Sequence, residues 1–143
     1  MANDYDGPQL PLPDMAGDAP CAQVEDAPLR VLLVEDQEDL RELLADVARG
    51  TGAEVTLADN ANMAMALLRD GYRCDVLFSD IHMPGTLSGA ELGAHVARTL
   101  PKATVILASG HPRCSLPALP AGTLFLQKPF RLNQFMALIE PAR

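Results

Sequence analysis

Three carboxylates and one ammonium stand at the ends of short apolar runs. Asp80 closes Asp75-Val76-Leu77-Phe78-Ser79-Asp80 and is followed by Ile81-His82-Met83-Pro84-Gly85, so a carboxylate is delivered where the chain must turn. Val31-Leu32-Leu33-Val34 ends in the same way in Glu35-Asp36, and Thr123-Leu124-Phe125-Leu126 runs through Gln127 into Lys128-Pro129. Three carboxylates against one lysine leave a formal charge of about −2, which is unfavourable in a partly desolvated site unless a divalent cation compensates it. Oxygen-only ligands with room for water suit Mg2+. One carboxylate oxygen can then be presented to a phosphoryl group.

The elements that must position these residues alternate along the chain. Leu29 to Val34 reads as a strand buried on both faces, being continuously apolar apart from Arg30. Asp39 to Ala48 places Leu40, Leu43, Leu44 and Val47 at helical intervals, with Gly50 and Gly52 as the stop. Glu54 to Ala58 is a second strand, and Asn60 caps a helix carrying Met63, Ala64, Leu67 and Leu68 as far as Asp70-Gly71. Cys74 to Ser79 is the third strand. Ser88 caps a helix with Leu92, Val96 and Leu100 at four-residue steps, which Pro101 ends. Thr104 to Ala108 and Thr123 to Leu126 are the fourth and fifth strands, and Leu132, Phe135, Met136 and Ile139 mark the last helix. Between Ser109 and Thr123, Pro117 and Pro120 would break a full helix, so the fourth helix is expected to be short or irregular. Five strands joined by right-handed helical crossovers make an α/β fold, a parallel sheet with helices on both faces. Ligands of such sheets bind at the carboxyl ends of the strands, where the residues above lie.

Composition narrows the class of function. The chain has 143 residues, enough for one domain with a real core. Aromatic residues are only 4%, so that core must be aliphatic, and Met63, Met65 and Met136 are expected to fill it. Of the net charge of −8, six acids (Asp4, Asp6, Asp14, Asp18, Glu25, Asp26) fall in residues 1–28, which contain no Lys or Arg but five prolines. Residues 1–28 are expected to be a disordered acidic tail, and residues 29–143, nearly neutral, the folded domain. That balance argues against nucleic acid, which demands dense positive charge. No run approaches the roughly 18 to 20 apolar residues of a membrane span, and no secretory signal opens the chain, so a cytoplasmic location is expected. Cys21, Cys74 and Cys114 lack any paired spacing and are expected to be reduced thiols.

Val34-Glu35-Asp36, then Ser79-Asp80-Ile81-His82-Met83-Pro84-Gly85 with Gly89 beyond, then Ala108-Ser109-Gly110, then Lys128-Pro129-Phe130 closely resemble the receiver domain of two-component response regulators. The resemblance covers residues 29–140 and rests on the joint order and spacing, since each motif alone is weak. It implies a flavodoxin-like receiver fold in which Asp80 accepts a phosphoryl group from a histidine kinase or histidine phosphotransfer protein. It further implies that Asp36 and Asp80 ligate Mg2+ directly, Glu35 through water, and the His82 backbone carbonyl completes the set. Lys128 and Ser109 would contact phosphoryl oxygens, and Pro129 corresponds to the family's cis-proline. Phe125, three residues before the lysine, would be the switch aromatic that follows Ser109. His82 and His111 flank the site, where such positions tune access of water.

Each residue keeps an ordinary alternative. Glu35 and Asp36 would serve as solvated loop acids, Lys128 as a surface cation, Ser109 as a turn former, and Phe125 as a packing residue on an edge strand. His95 is expected to face solvent from its helix. Only Pro141-Ala142-Arg143 follow the last helix, so the expectation is a stand-alone, monomeric receiver, a phosphoacceptor rather than a turnover enzyme. The alternative is a phosphorylation-independent interaction module on the same fold. An aspartate-based phosphatase would need a second acid two residues after Asp80, where His82 stands, and no Gly-rich phosphate loop follows the first strand.

Overall fold

The computed structural model describes residues 27–116 and 118–140. The acidic segment expected at residues 1–28 lies outside that range except for Ala27 and Pro28. Five strands, β1 (Arg30–Val34), β2 (Glu54–Ala58), β3 (Val76–Asp80), β4 (Thr104–Ser109) and β5 (Leu124–Gln127), form one parallel sheet in the order β2-β1-β3-β4-β5. Four helices connect or follow them: α1 (Glu38–Gly50), α2 (Ala61–Arg69), α3 (Gly89–Thr99) and α4 (Leu132–Ile139). Where the prolines forecast a short or irregular fourth helix, the chain makes a single 3-10 turn, Arg113–Ser115, before β5.

Strand alternation divides the core in two, since successive side chains point to opposite faces. Val31, Leu33, Val76, Phe78 and Ile106 pack with Leu44, Ala45 and Ala48 of α1 and with Phe135 and Ile139 of α4. Leu32, Val34, Leu77, Val105 and Leu107 pack with Ala61, Ala64 and Met65 of α2 and with Leu92 and Val96 of α3. The few rings are concentrated, Phe78 meeting Phe135 edge-on at 5.1 Å and Phe130 at 6.0 Å.

The helix caps follow the sequence reading. Asn60 Oδ1 accepts from the Met63 amide at 2.8 Å, and Ser88 with Glu91 forms a reciprocal capping box. The buried faces do not follow it fully. Leu43 is 46% exposed and Met63 44%, and Leu132 is also exposed, while Ala45, Ala48, Ala61 and Ala64 are buried. Small side chains turn toward the sheet because a close helix approach leaves no room for longer ones, so Met63 is not core filler. Met65 is buried as expected, Met136 is half-buried, and His95 is half-buried rather than fully solvent-facing.

Candidate functional site

The sheet changes direction of growth between β1 and β3, since β2 lies on one side of β1 and β3 on the other. Their register sets Val34 beside Ser79, so Glu35 and Asp80 arrive at the same carboxyl edge. Asp80 pairs with Ala108, and Ser109 with Gln127, which brings β4 and the Lys128 that follows β5 to that edge as well. Two backbone bonds extend the alignment past the strands: Ile81 N–H to the Ala108 carbonyl at 2.9 Å, and Lys128 N–H to the Ser109 carbonyl at 2.8 Å.

The residues singled out from the sequence converge. Glu35, Asp36 and Asp80 each offer a carboxylate oxygen, and these oxygens lie within 4.8 Å of one another. Lys128 Nζ donates to Glu35 Oε1 at 3.0 Å and to Asp80 Oδ2 at 3.1 Å. Glu35 is fully buried and Asp80 nearly so, whereas Asp36 is exposed. Burial pushes the Glu35 carboxyl above its ordinary range, against the Gln37 amide and Lys128, which favour its charged form. Burial also acts against the Lys128 ammonium, but its bond to Glu35 and the charges of Asp80 and Glu35 outweigh that and raise its pKa. The crowd of oxygens has one ammonium at its centre and one exposed acid at its mouth. That donor set fits a hard divalent cation such as Mg2+, because three carboxylates exceed the single cation present.

The other expected residues fall around this centre. Ser109 is buried, and its hydroxyl oxygen accepts from the His111 amide at 2.9 Å, the local turn that its sequence context allowed. The Lys128–Pro129 peptide bond is cis. His82 and His111 are exposed, with ring centroids 4.6 Å apart, at the rim. Phe125 is half-buried on the edge strand β5 and packs against the cluster beneath α2 and α3.

Three supporting contacts have no sequence signal, because each depends on a partner distant along the chain or on a tertiary approach. Arg41 donates to the Glu35 carbonyl at 2.9 Å and pairs with Asp59 at 3.2 Å, tying the turn after β1 to the turn after β2. Asn62 of α2 donates to Thr86 Oγ1 at 2.9 Å and accepts from the Leu87 amide at 3.3 Å, holding the loop that follows Asp80. Gly89 starts α3 against the end of β3, with its amide bonded to the Ile81 carbonyl at 2.9 Å, and a Cβ there would collide with the Asp80 carbonyl. Gly89 was legible as part of a motif, but its contact was not.

Comparison with known proteins agrees with the fold. The family model for the response regulator receiver domain matches residues 31–140. A response regulator receiver protein of Anaeromyxobacter sp. (strain Fw109-5) is 39% identical over 82 residues, covering 57% of this chain and 34% of the relative. The DNA-binding transcriptional regulator NtrC of Salmonella typhimurium is 32% identical over 115 residues, 78% of this chain and 24% of the relative. The chain thus spans about a third or less of the length of these curated relatives. Among solved structures, the signal receiver domain of an HD domain-containing protein from Pseudomonas fluorescens Pf-5 superposes with a TM-score of 0.71 at 26% identity, covering 81% of this chain and 94% of that one. The response regulator TrrA of Thermotoga maritima, in complex with Mg(2+)-BeF, gives 0.69 at 25% identity, covering 80% and 99%. With the flavodoxin-like strand order, the strand-end carboxylates and the lysine in place, the chain belongs to the response regulator receiver domain family.

Proposed function

We propose that Asp80 is the phosphoacceptor of this receiver and takes its phosphoryl group from a histidine kinase or histidine phosphotransfer protein. Phosphorylation, Mg2+ dependence and contact with such donors are general to the family. The observation that carries the assignment to this chain is the convergence of Glu35, Asp36 and Asp80 around Lys128 at one sheet edge. An Asp80 carboxylate oxygen attacks the phosphorus in line; an O–P bond forms as the bond to the donor breaks, and the donor leaves with its electron pair.

The chain's own residues do the positioning. Lys128, already 3.1 Å from Asp80 Oδ2, supplies a compact positive charge to a phosphoryl oxygen. Ser109 supplies a hydroxyl donor to another. Mg2+, held by Asp36 and Asp80 with Glu35 through water and the His82 carbonyl, would supply the charge that offsets crowded carboxylate and phosphoryl oxygens. Glu35 Oε1 accepts from Lys128 Nζ at 3.0 Å and so keeps the ammonium in place. The same TrrA receiver that resembles this chain was solved with Mg(2+)-BeF, which supports this ligand class.

The output is a change of surface, read by a protein partner or passed on as phosphate. When Ser109 moves to the phosphate, Phe125 turns into the space behind it, and with no hydroxyl it is held by packing. Among the described residues the segment between β4 and β5 forms a single 3-10 turn rather than a full helix, so the face that receivers usually present with a helix at this place beside β5 is remodelled. A monomer follows from that remodelling; sedimentation before and after phosphorylation checks it, and a phosphate-dependent dimer counts against it. The assignment of Asp80 is tested by incubating wild type and Asp80→Asn with Mg2+ and a small phosphodonor. Modification of wild type alone, abolished by a chelator, is expected; equal modification of the variant sinks the assignment.

A further inference from the structure

At the pole of the sheet opposite Asp80, the C-terminal ends of α2 and α3 and the loop into β3 surround a concavity of about 270 Å3. Its lining includes Arg69, Tyr72, Arg73, His95, Thr99 and Leu100, and no acid. Arg98 adds a third guanidinium, with Nη2 3.4 Å from His95 Nδ1. Burial and the charges of Arg98 and Arg69 hold the His95 imidazole below its usual range, as expected if both guanidinium groups bear on it. Arg30, Arg41 and Lys128 are each paired with carboxylates, whereas among the described residues Arg69, Arg73 and Arg98 have no carboxylate partner, nor do Arg49, Lys102, Arg113 and Arg131; what sets the three apart is that they gather around one concavity with no acid in its lining. Cations at helix C-termini offset the helix dipole, which accounts for Arg69 and Arg98. It does not account for Arg73, which lies in the loop, or for the concavity.

The chain has a net charge of −8, and a dense run of acids stands elsewhere in the same sequence. Residues 4–26 carry six carboxylates and no Lys or Arg. They join the fold at the right pole. The Arg30 amide, which opens β1, donates to the Asp75 carboxylate at 2.9 Å, and Asp75 lies two residues beyond Arg73. Asp18, Glu25 and Asp26 lie within eleven residues of Leu29, so the acids stand close in sequence to the start of β1. Tethering raises their local concentration to about the millimolar range, so weak exposed pairs suffice for contact.

We propose that this arginine pocket is a docking site for a carboxylate-rich polypeptide, and that its occupant is the chain's own acidic N-terminal segment, residues 4–26. The site is distinct from the phosphoacceptor centre, and α3 connects the two, with His95 and Arg98 near its end and Gly89 against Asp80 at its start.

The test uses the full chain. Amide NMR spectra of wild type are compared with a variant whose six acids are neutralised (D4N, D6N, D14N, D18N, E25Q, D26N); all six positions precede β1 in the sequence. Shift changes at residues 68–73 and 95–100 are expected. They should be reproduced in wild type by about 1 M salt, where the screening length is about 3 Å. They should vanish in an R69E/R73E/R98E background. Changes absent, or confined to residues 27–31, overturn the proposal. So does a pocket that ignores tail neutralisation but responds to inorganic phosphate or a short oligonucleotide, since its ligand is then a phosphate and not a carboxylate polypeptide.

Discussion

Lys128 holds two carboxylates at once, and that double contact sets the cost of losing it. Lys128→Met would leave Glu35 fully buried without its counter-charge and facing Asp80. Breaking a buried pair on one side costs about 3 to 5 kcal/mol, and with the lysine side chain 21% exposed the lower figure, about 3 kcal/mol, is expected in urea unfolding without metal. An unchanged midpoint would remove the lysine from the centre of the site. The pH dependence has a definite sign. Because the folded-state pKa of Lys128 is raised, its stabilisation is complete below the ordinary value of 10.5 and is lost as pH rises through the raised value. At this scale the site was largely legible, because Glu35, Asp36, Asp80 and Lys128 each close or follow an apolar run. The Arg41 bridge was not, because nothing near Arg41 in sequence indicates that it reaches both the Glu35 carbonyl and Asp59.

The start of α3 is pressed directly onto the end of β3, and only a residue without a side chain fits. A Cβ at position 89 would meet the Asp80 carbonyl and lie 2.8 Å from Ser79 Oγ, both fixed by a fully buried strand. Gly89→Ala is therefore expected to cost about 1 to 3 kcal/mol in denaturant unfolding and to slow phosphorylation as Asp80 is displaced. Wild-type stability together with a wild-type rate would show that the helix start does not position the acceptor. Strands were legible as elements because a parallel sheet buries both faces and so produces continuous apolar runs. Helix boundaries were legible from Asn60 and Ser88, whose side chains carry the caps. Helix rotation was less so: Leu43 and Met63 match helical spacing yet face outward, because contact with the sheet selected Ala45, Ala48, Ala61 and Ala64 instead.

Across the whole molecule the sheet separates two charged poles. The carboxyl edge gathers Glu35, Asp36, Asp80 and Lys128, and the amino edge gathers Arg69 and Arg73, with Arg98 joined through His95. Only the first pole was foreseen, because strand ends announce themselves in sequence while convergence of helix ends needs the fold. The stretch between Ser109 and Thr123 was legible in what it excludes, a full helix, but not in the 3-10 turn it adopts. All of this bears on the one chemical event proposed above, transfer of a phosphoryl group to a single carboxylate. Its most direct measurement is to phosphorylate the chain with Mg2+ and a small donor, reduce the acyl phosphate with borohydride, and locate the resulting homoserine by peptide mass spectrometry. Homoserine at position 80 alone is the expected result; reduction at Glu35 or Asp36, or a stable phosphoryl group on His82, would contradict the account.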